Sequence, residues 1–197
     1  IYKKSNMDVF KSFYDSFIYE RWLYRFGYAV RNYNQLNDRQ KSNFFSDLPS
    51  NPQNMNYLYE FFEKIRTSTY ELQAKLLARL IVELVKNNGL TYFESNLLAN
   101  ISTLNDADIK IMYAFLKENE DKESDTEVDF KFDNFNCVTT YNKALQIGII
   151  DGQSAFGFAD TNKKREPLKK KICYLTPSSK ELLLILNEIM EDDNVNI

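Results

Sequence analysis

Two sets of side chains have types and spacing that could do chemistry. Thr139, Thr140, Asn142, Lys143 and Gln146 follow one another along a stretch with helical periodicity, as hydroxyls, carboxamides and one ammonium. Such groups on the exposed side of a helix can reach base edges and phosphates in a DNA groove. Lys163, Lys164, Arg165, Lys169, Lys170 and Lys171 gather around a loop further on, where they could neutralise several phosphates and make binding salt-sensitive. Read without a partner, the same cations are a solvated basic loop. The second set is carboxylate. Glu60, Glu63, Glu71, Glu83, Glu94, Asp106 and Asp108 could supply oxygen ligands to magnesium. Each also has an ordinary place as a helix cap, dipole partner or surface charge, and no compact carboxylate motif marks a strand end.

The chain contains no histidine, which excludes Ser-His-Asp and Cys-His nucleophile systems and every metal site built on imidazole. Cys137 and Cys173 are its two cysteines, too few for a four-thiolate site or a disulfide framework. Neither a cofactor, a metal nor catalysis is expected, and a reduced, cytoplasmic setting is. The net charge of −3 over 197 residues argues against a generally basic nucleic-acid binder. No apolar run approaches the roughly 20 residues that cross a bilayer. The first residues lack the basic-then-apolar pattern of a signal peptide. Scarce glycine (5) and proline (4) disfavour sandwiches and turn-rich barrels, whereas 13 Tyr and 15 Phe supply much of the apolar bulk.

What must position these groups is a set of helices organised around residues 68–87. Leu72, Leu76, Leu77, Leu80, Ile81, Leu84 and Val85, with Ala74, Ala78 and Val82 beside them, wrap an apolar surface around most of a helix. Only a seam of Glu71, Lys75, Arg79, Glu83 and Lys86 is polar, with Glu71/Lys75 and Arg79/Glu83 spaced as (i, i+4) ion pairs. Such a helix belongs in the middle of a bundle. Ser68 with Glu71 predicts a capping box at its start, and Gly89 a left-handed stop at its end.

Upstream, residues 6–36 read as helix, with Val9, Phe10, Phe13, Phe17, Ile18, Trp22, Leu23 and Phe26 as an aromatic core face and Gly27 as a candidate break. Short helices are predicted at 38–45 and 55–66, the second with Leu58, Phe61, Phe62 and Ile65 inward, separated by a loop at 50–54. Downstream, Thr91 with Glu94 caps a helix over 92–99, and Asn105 or Thr103 caps another over 106–119. Segment 119–127 is a solvated acidic loop. Val128, Phe130 and Phe132 alternate with charged residues as a strand does. Residues 137–147 are helical and stopped by Gly148. Ile149-Ile150, continued at 155–158, and residues 171–175 are further strands. Thr176-Pro177 opens the last helix, with Leu182, Leu183, Leu184, Leu186 and Ile189 inward. The expected fold class is mainly α: a helical bundle over 1–104, then a small α+β winged-helix-like domain over 105–197.

Ala144-Leu-Gln-Ile-Gly-Ile-Ile150 resembles the helix-to-wing junction of the winged-helix superfamily. Tyr174-Leu-Thr-Pro-Ser-Ser-Lys-Glu-Leu-Leu183 resembles its strand-to-helix turn after the wing, with Ser179 where a glycine is common. Leu76-Leu-Ala-Arg-Leu80, the short helix to Ile101 and Leu104-Asn-Asp-Ala-Asp-Ile109 extend the match. Together they make residues 68–185 similar to the Abi-alpha family of bacterial abortive-infection proteins. Leu90-Thr-Tyr-Phe93 and Thr103-Leu-Asn-Asp106 depart from that family's pattern. The resemblance implies a cytoplasmic antiphage-defence component with no catalytic residues to carry over. Two expectations follow: a non-enzymatic defence protein that binds a protein partner or itself, and, as the alternative, a winged-helix DNA-binding transcriptional regulator.

Overall fold

The computed structural model describes residue 20 and residues 23–29, 31, 34, 36–153 and 169–194. The protein is mainly helical with one small antiparallel sheet, and its contacts divide it into two compact units, Ile1–Gly89 and Leu90–Ile197. The boundary therefore lies ahead of the one read at residue 104, because residues 92–100 contact the helix at 135–147 within the second unit.

In the first unit, α1 (Asp38–Asp47) opens on a capping box between Asn37 and Gln40. A 3-10 turn at Leu48–Ser50 follows, and the loop predicted at 50–54 shrinks to Asn51. Pro52 starts α2 (Pro52–Thr67), in the first turn where its missing N–H has no partner to lose. Both helices pack on α3 (Glu71–Asn87). As its apolar pattern requires, Leu76, Leu77, Leu80, Ile81, Leu84 and Val85 are all buried, as are Phe44, Phe61 and Ile65 of the flanking helices. The polar seam makes both ion pairs, Lys75–Glu71 at 3.2 Å and Arg79–Glu83 at 3.4 Å. Lys75 is nonetheless buried, its ammonium 5.4 Å from the Tyr28 ring, whose hydroxyl donates to Glu71 at 3.1 Å.

The ends of α3 depart from expectation. The helix starts at Glu71 with Tyr70 as N-cap, and Ser68 turns its hydroxyl to the Tyr70 carbonyl at 3.2 Å. The left-handed C-cap is Asn88 at φ 51°, one residue before Gly89. Asparagine tolerates that region better than most side-chain-bearing residues. Here its carboxamide is also held: Oδ1 accepts from the buried Asn54 at 3.0 Å, and Nδ2 donates to Asp47 at 3.1 Å. Leu23 and Phe62, expected inward, are exposed, the Phe62 ring lying 6.0 Å from that of Phe26. Residues 23–29 run helical through Gly27, while Val9, Phe10, Phe13, Phe17, Ile18 and Trp22 lie outside the described residues.

In the second unit, α4 (Tyr92–Asn100) and α5 (Asp106–Glu118) start from the Thr91/Glu94 and Asn105/Asp108 capping boxes. β1 (Glu127–Lys131), α6 (Phe135–Ile147), β2 (Ile150–Asp151), β3 (Lys170–Leu175) and α7 (Pro177–Asn194) complete it. β3 is the central strand of a sheet ordered β1-β3-β2, antiparallel throughout, with Val128 opposite Cys173 and Ile150 opposite Leu175. Three short strands with α6 and α7 around them form the small α+β part of the protein. Val128 and Phe130 point inward from β1, as the alternation predicts. Phe130 lies 4.6 Å from the Phe115 ring, and Phe130 and Phe132 meet Tyr141 edge-on at 5.4 and 5.6 Å. The end of the acidic segment joins the ladder: Asp125 N–H donates to Leu175 at 2.7 Å, and Leu175 N–H to Thr126 at 3.1 Å. In α7, Leu184 is exposed and Ile185 takes the inward place expected for it. The strand continuation read at 155–158 lies outside the described residues.

Candidate functional site

α6 is the element on which the predicted contact residues sit. It begins with Asn134 accepting from Cys137 N–H at 3.2 Å and ends at Gly148 (φ 80°), where Ile149 N–H reaches back to the Ala144 carbonyl at 3.1 Å. Its buried face comprises Cys137, Thr140, Tyr141, Ala144 and Ile147. Thr140, expected on the exposed side, is thus fully buried, because a core-facing residue three positions after Cys137 shares its face.

What Thr140 meets is Asp108, in the first turn of α5. Its hydroxyl donates to Asp108 Oδ1 at 2.7 Å, and the Lys143 ammonium lies 2.5 Å from Oδ2. Oδ2 also accepts from Asn105 N–H at 2.9 Å, so one buried carboxylate serves a capping box, a hydroxyl and a cation. A buried charge with both its oxygens hydrogen-bonded and a cation beside it is tolerable where a bare one is not. Gln146 is exposed at its tip but donates to Asn100 Oδ1 at 2.7 Å, while Asn96 of α4 donates to the Gln146 carbonyl at 3.3 Å. Asn142 and Thr139 donate to carbonyls of α6's own first turns, Val138 at 2.9 Å and Asn136 at 2.8 Å. The helix face read as a DNA-reading surface is therefore partly a docking face toward α4 and α5.

The basic group divides in a similar way. Lys170 pairs across strands with Asp129 at 2.6 Å, Lys169 is exposed, and Lys171 is half-buried. Lys163, Lys164 and Arg165 lie outside the described residues.

The carboxylates are distributed among local partners. Glu60 pairs with Lys64 at 3.3 Å, Glu63 with Arg66 at 2.8 Å, and Glu94 accepts from Thr91 N–H at 2.7 Å. Glu181 of α7 is held above its ordinary value by burial first and by the Glu94 charge second, with a Thr91 hydrogen bond opposing the rise. Among the described residues, no three Cys, Asp or Glu side chains come together as a metal-holding group. A recess lined by Leu116, Asn119, Thr176, Ser179 and Leu183 holds about 10 Å³, room for one water and too little for a substrate.

Two more features escaped the sequence reading. Ser179 is buried at the start of α7; its hydroxyl donates to the Ile149 carbonyl and accepts from Thr176 N–H at 3.2 Å, tying the helix to the strand after Gly148. Cys173 is fully buried in β3, and burial, helped by the Asp129 charge, pushes its thiol up to about 12, which leaves it an unreactive core residue. The sequence signal for Asp108 was present as the Asn-x-x-Asp spacing of a capping box; its second use needed the fold.

No helix of the described residues is long and apolar enough to cross a membrane. Comparison with protein-family models, curated proteins and solved structures finds no match to this chain.

Proposed function

We propose that this chain is a non-enzymatic component of bacterial antiphage defence that acts in the cytoplasm by binding a protein partner, its winged-helix-like part serving as an interaction module. The observation that carries the interaction reading is the engagement of α6. Thr140 and Lys143 are tied to Asp108, and Gln146 to Asn100. A helix whose single ammonium is neutralised within its own unit has little left to offer a phosphate backbone, which favours a protein partner over DNA. The missing histidine supports a non-catalytic role. The defence assignment rests on the likeness of residues 68–185 to the Abi-alpha family.

The test is to express the tagged chain in bacteria, challenge them with a panel of phages, and purify it from infected and uninfected cells. Fewer plaques together with a co-purified protein support the reading. Unchanged plaque numbers with nothing recovered overturn it. Steeply salt-dependent DNA binding that is lost in Lys163→Glu with Lys164→Glu also overturns it, in favour of the DNA-binding regulator.

A further inference from the structure

Asn88-Gly89 is the one Asn-Gly step in the chain and closes the C-terminal end of α3, with Asn88 exposed. In such a step the glycine nitrogen can attack the carboxamide carbon of the asparagine, unhindered by a side chain of its own. Three features of the folded cap oppose that attack. At ψ 39° the Gly89 nitrogen lies nearly anti to the Asn88 Cβ, whereas closing a succinimide ring needs the two eclipsed. The Gly89 N–H donates to the Leu84 carbonyl at 3.1 Å. The carboxamide is held at both ends, accepting at Oδ1 from Asn54 at 3.0 Å and donating from Nδ2 to Asp47 at 3.1 Å. Asn54 is buried and also donates to the Asn88 carbonyl at 3.2 Å, so this clamp is anchored in the core of the first unit.

We propose that Asn88 is a deamidation site held shut by the folded cap, so that the modification proceeds only from chains in which the end of α3 has opened. In the opened cap the Gly89 nitrogen bonds to Asn88 Cγ and gives up its proton, and the carboxamide nitrogen leaves as ammonia. Water then opens the succinimide at either carbonyl, giving aspartate or isoaspartate at position 88. Neither product rebuilds the cap. Aspartate has no N–H for Asp47 and sets a second carboxylate against it, and like charges so close repel. Isoaspartate adds a methylene to the backbone where the left-handed turn and Asn54 hold it. Helix ends open locally far more often than a whole domain unfolds. Each opening that reacts therefore leaves, irreversibly, a chain with a weaker end to α3. The inference depends on neither the defence reading nor the partner reading.

Incubation of the full chain at mildly alkaline pH, native and in urea, followed by ion exchange and peptide mass mapping, tests it. Asn88 is expected to convert in urea, and about tenfold or more slowly in the native chain. Asp47→Ala and Asn54→Ala loosen the clamp and should speed the native reaction while leaving the urea rate unchanged. Asp47 is exposed, so its variant keeps the comparison should Asn54→Ala fail to fold. Gly89→Ala, whose added Cβ would meet nothing within 4 Å, should keep the far-UV circular dichroism of the wild type and suppress conversion in both conditions. Equal native and urea rates overturn the proposal. So do native rates that the clamp variants leave unchanged, and conversion of other asparagines with Asn88 intact.

Discussion

The Thr140 hydroxyl donates a hydrogen bond to Asp108 Oδ1 across 2.7 Å, and both side chains are buried where α6 docks on the start of α5. Lys143, one turn further along α6, neutralises the same carboxylate. The contact turns a helix cap into the joint between two helices. Asp108→Ala removes the acceptor of a buried hydroxyl, the partner of a half-buried ammonium and one arm of the capping box. It is expected to lower stability by about 2–4 kcal/mol, seen as a lower urea midpoint at unchanged m-value. Thr140→Val should cost less, and the double variant should cost less than the two single losses added.

Gly152 lies where a Cβ would stand 2.9 Å from the Tyr141 hydroxyl oxygen and 3.5 Å from Cys173 Cβ. The Tyr141 hydroxyl is itself bonded to the Gln153 carbonyl at 3.1 Å, so it has little freedom to move aside. Gly152→Ala is expected to destabilise by about 1–3 kcal/mol. Adding Tyr141→Phe clears the obstructing oxygen, and thermal unfolding of the pair should show part of the loss returned.

Asn88 holds a left-handed backbone and two side-chain partners at once. Asn88→Gly keeps the backbone at ease and loses only the partners, about 1 kcal/mol. Asn88→Ala loses both and should be worse by about a further 1 kcal/mol. Equal melting temperatures for the two variants would show that the backbone conformation contributes nothing.

Cys173 and Tyr141 are both pushed up to about 12 by burial. Both are acids that the fold prefers protonated. The stability linked to them is whole below their ordinary values, 9.0 and 10.0, and is lost as pH rises from there toward about 12. Stability measured from pH 8 to 11 should fall, and Cys173→Ala should flatten the first part of that fall.

Glu181 is raised by burial and by Glu94, so the fold disfavours its charged form at neutral pH. Glu181→Gln should raise stability by a few tenths of a kcal/mol at pH 7, an exposed and screened effect. The gain should shrink as pH falls through the carboxyl's raised value and vanish below its ordinary value of 4.5, where folded and unfolded chains both hold the proton. Urea midpoints at pH 4 and pH 7 would read the difference.

Much of the secondary structure could be read directly from local chemistry. The Thr91/Glu94 and Asn105/Asp108 boxes, the Gly148 stop and the β1 alternation each depend on residues within a few positions of one another. Errors appear where two local candidates compete. Asn88 takes the left-handed cap instead of Gly89 because Asn54 and Asp47 hold its side chain, and Pro52 starts α2 instead of extending a loop. Of the proposed contact residues on α6, Gln146 is exposed and Thr139 and Asn142 are half-buried, whereas Thr140 is core.

By itself the sequence determined that α3 is buried nearly all round, because an apolar surface wrapped about one helix has no other low-energy place in water. It likewise determined that imidazole chemistry is absent. Only the tertiary structure decided what Asp108, Thr140, Lys143 and Gln146 do, since their partners lie 32 to 46 residues away in the chain. A hydroxyl or an ammonium looks the same in a sequence whether it faces solvent or a buried carboxylate, and packing alone distinguishes the two.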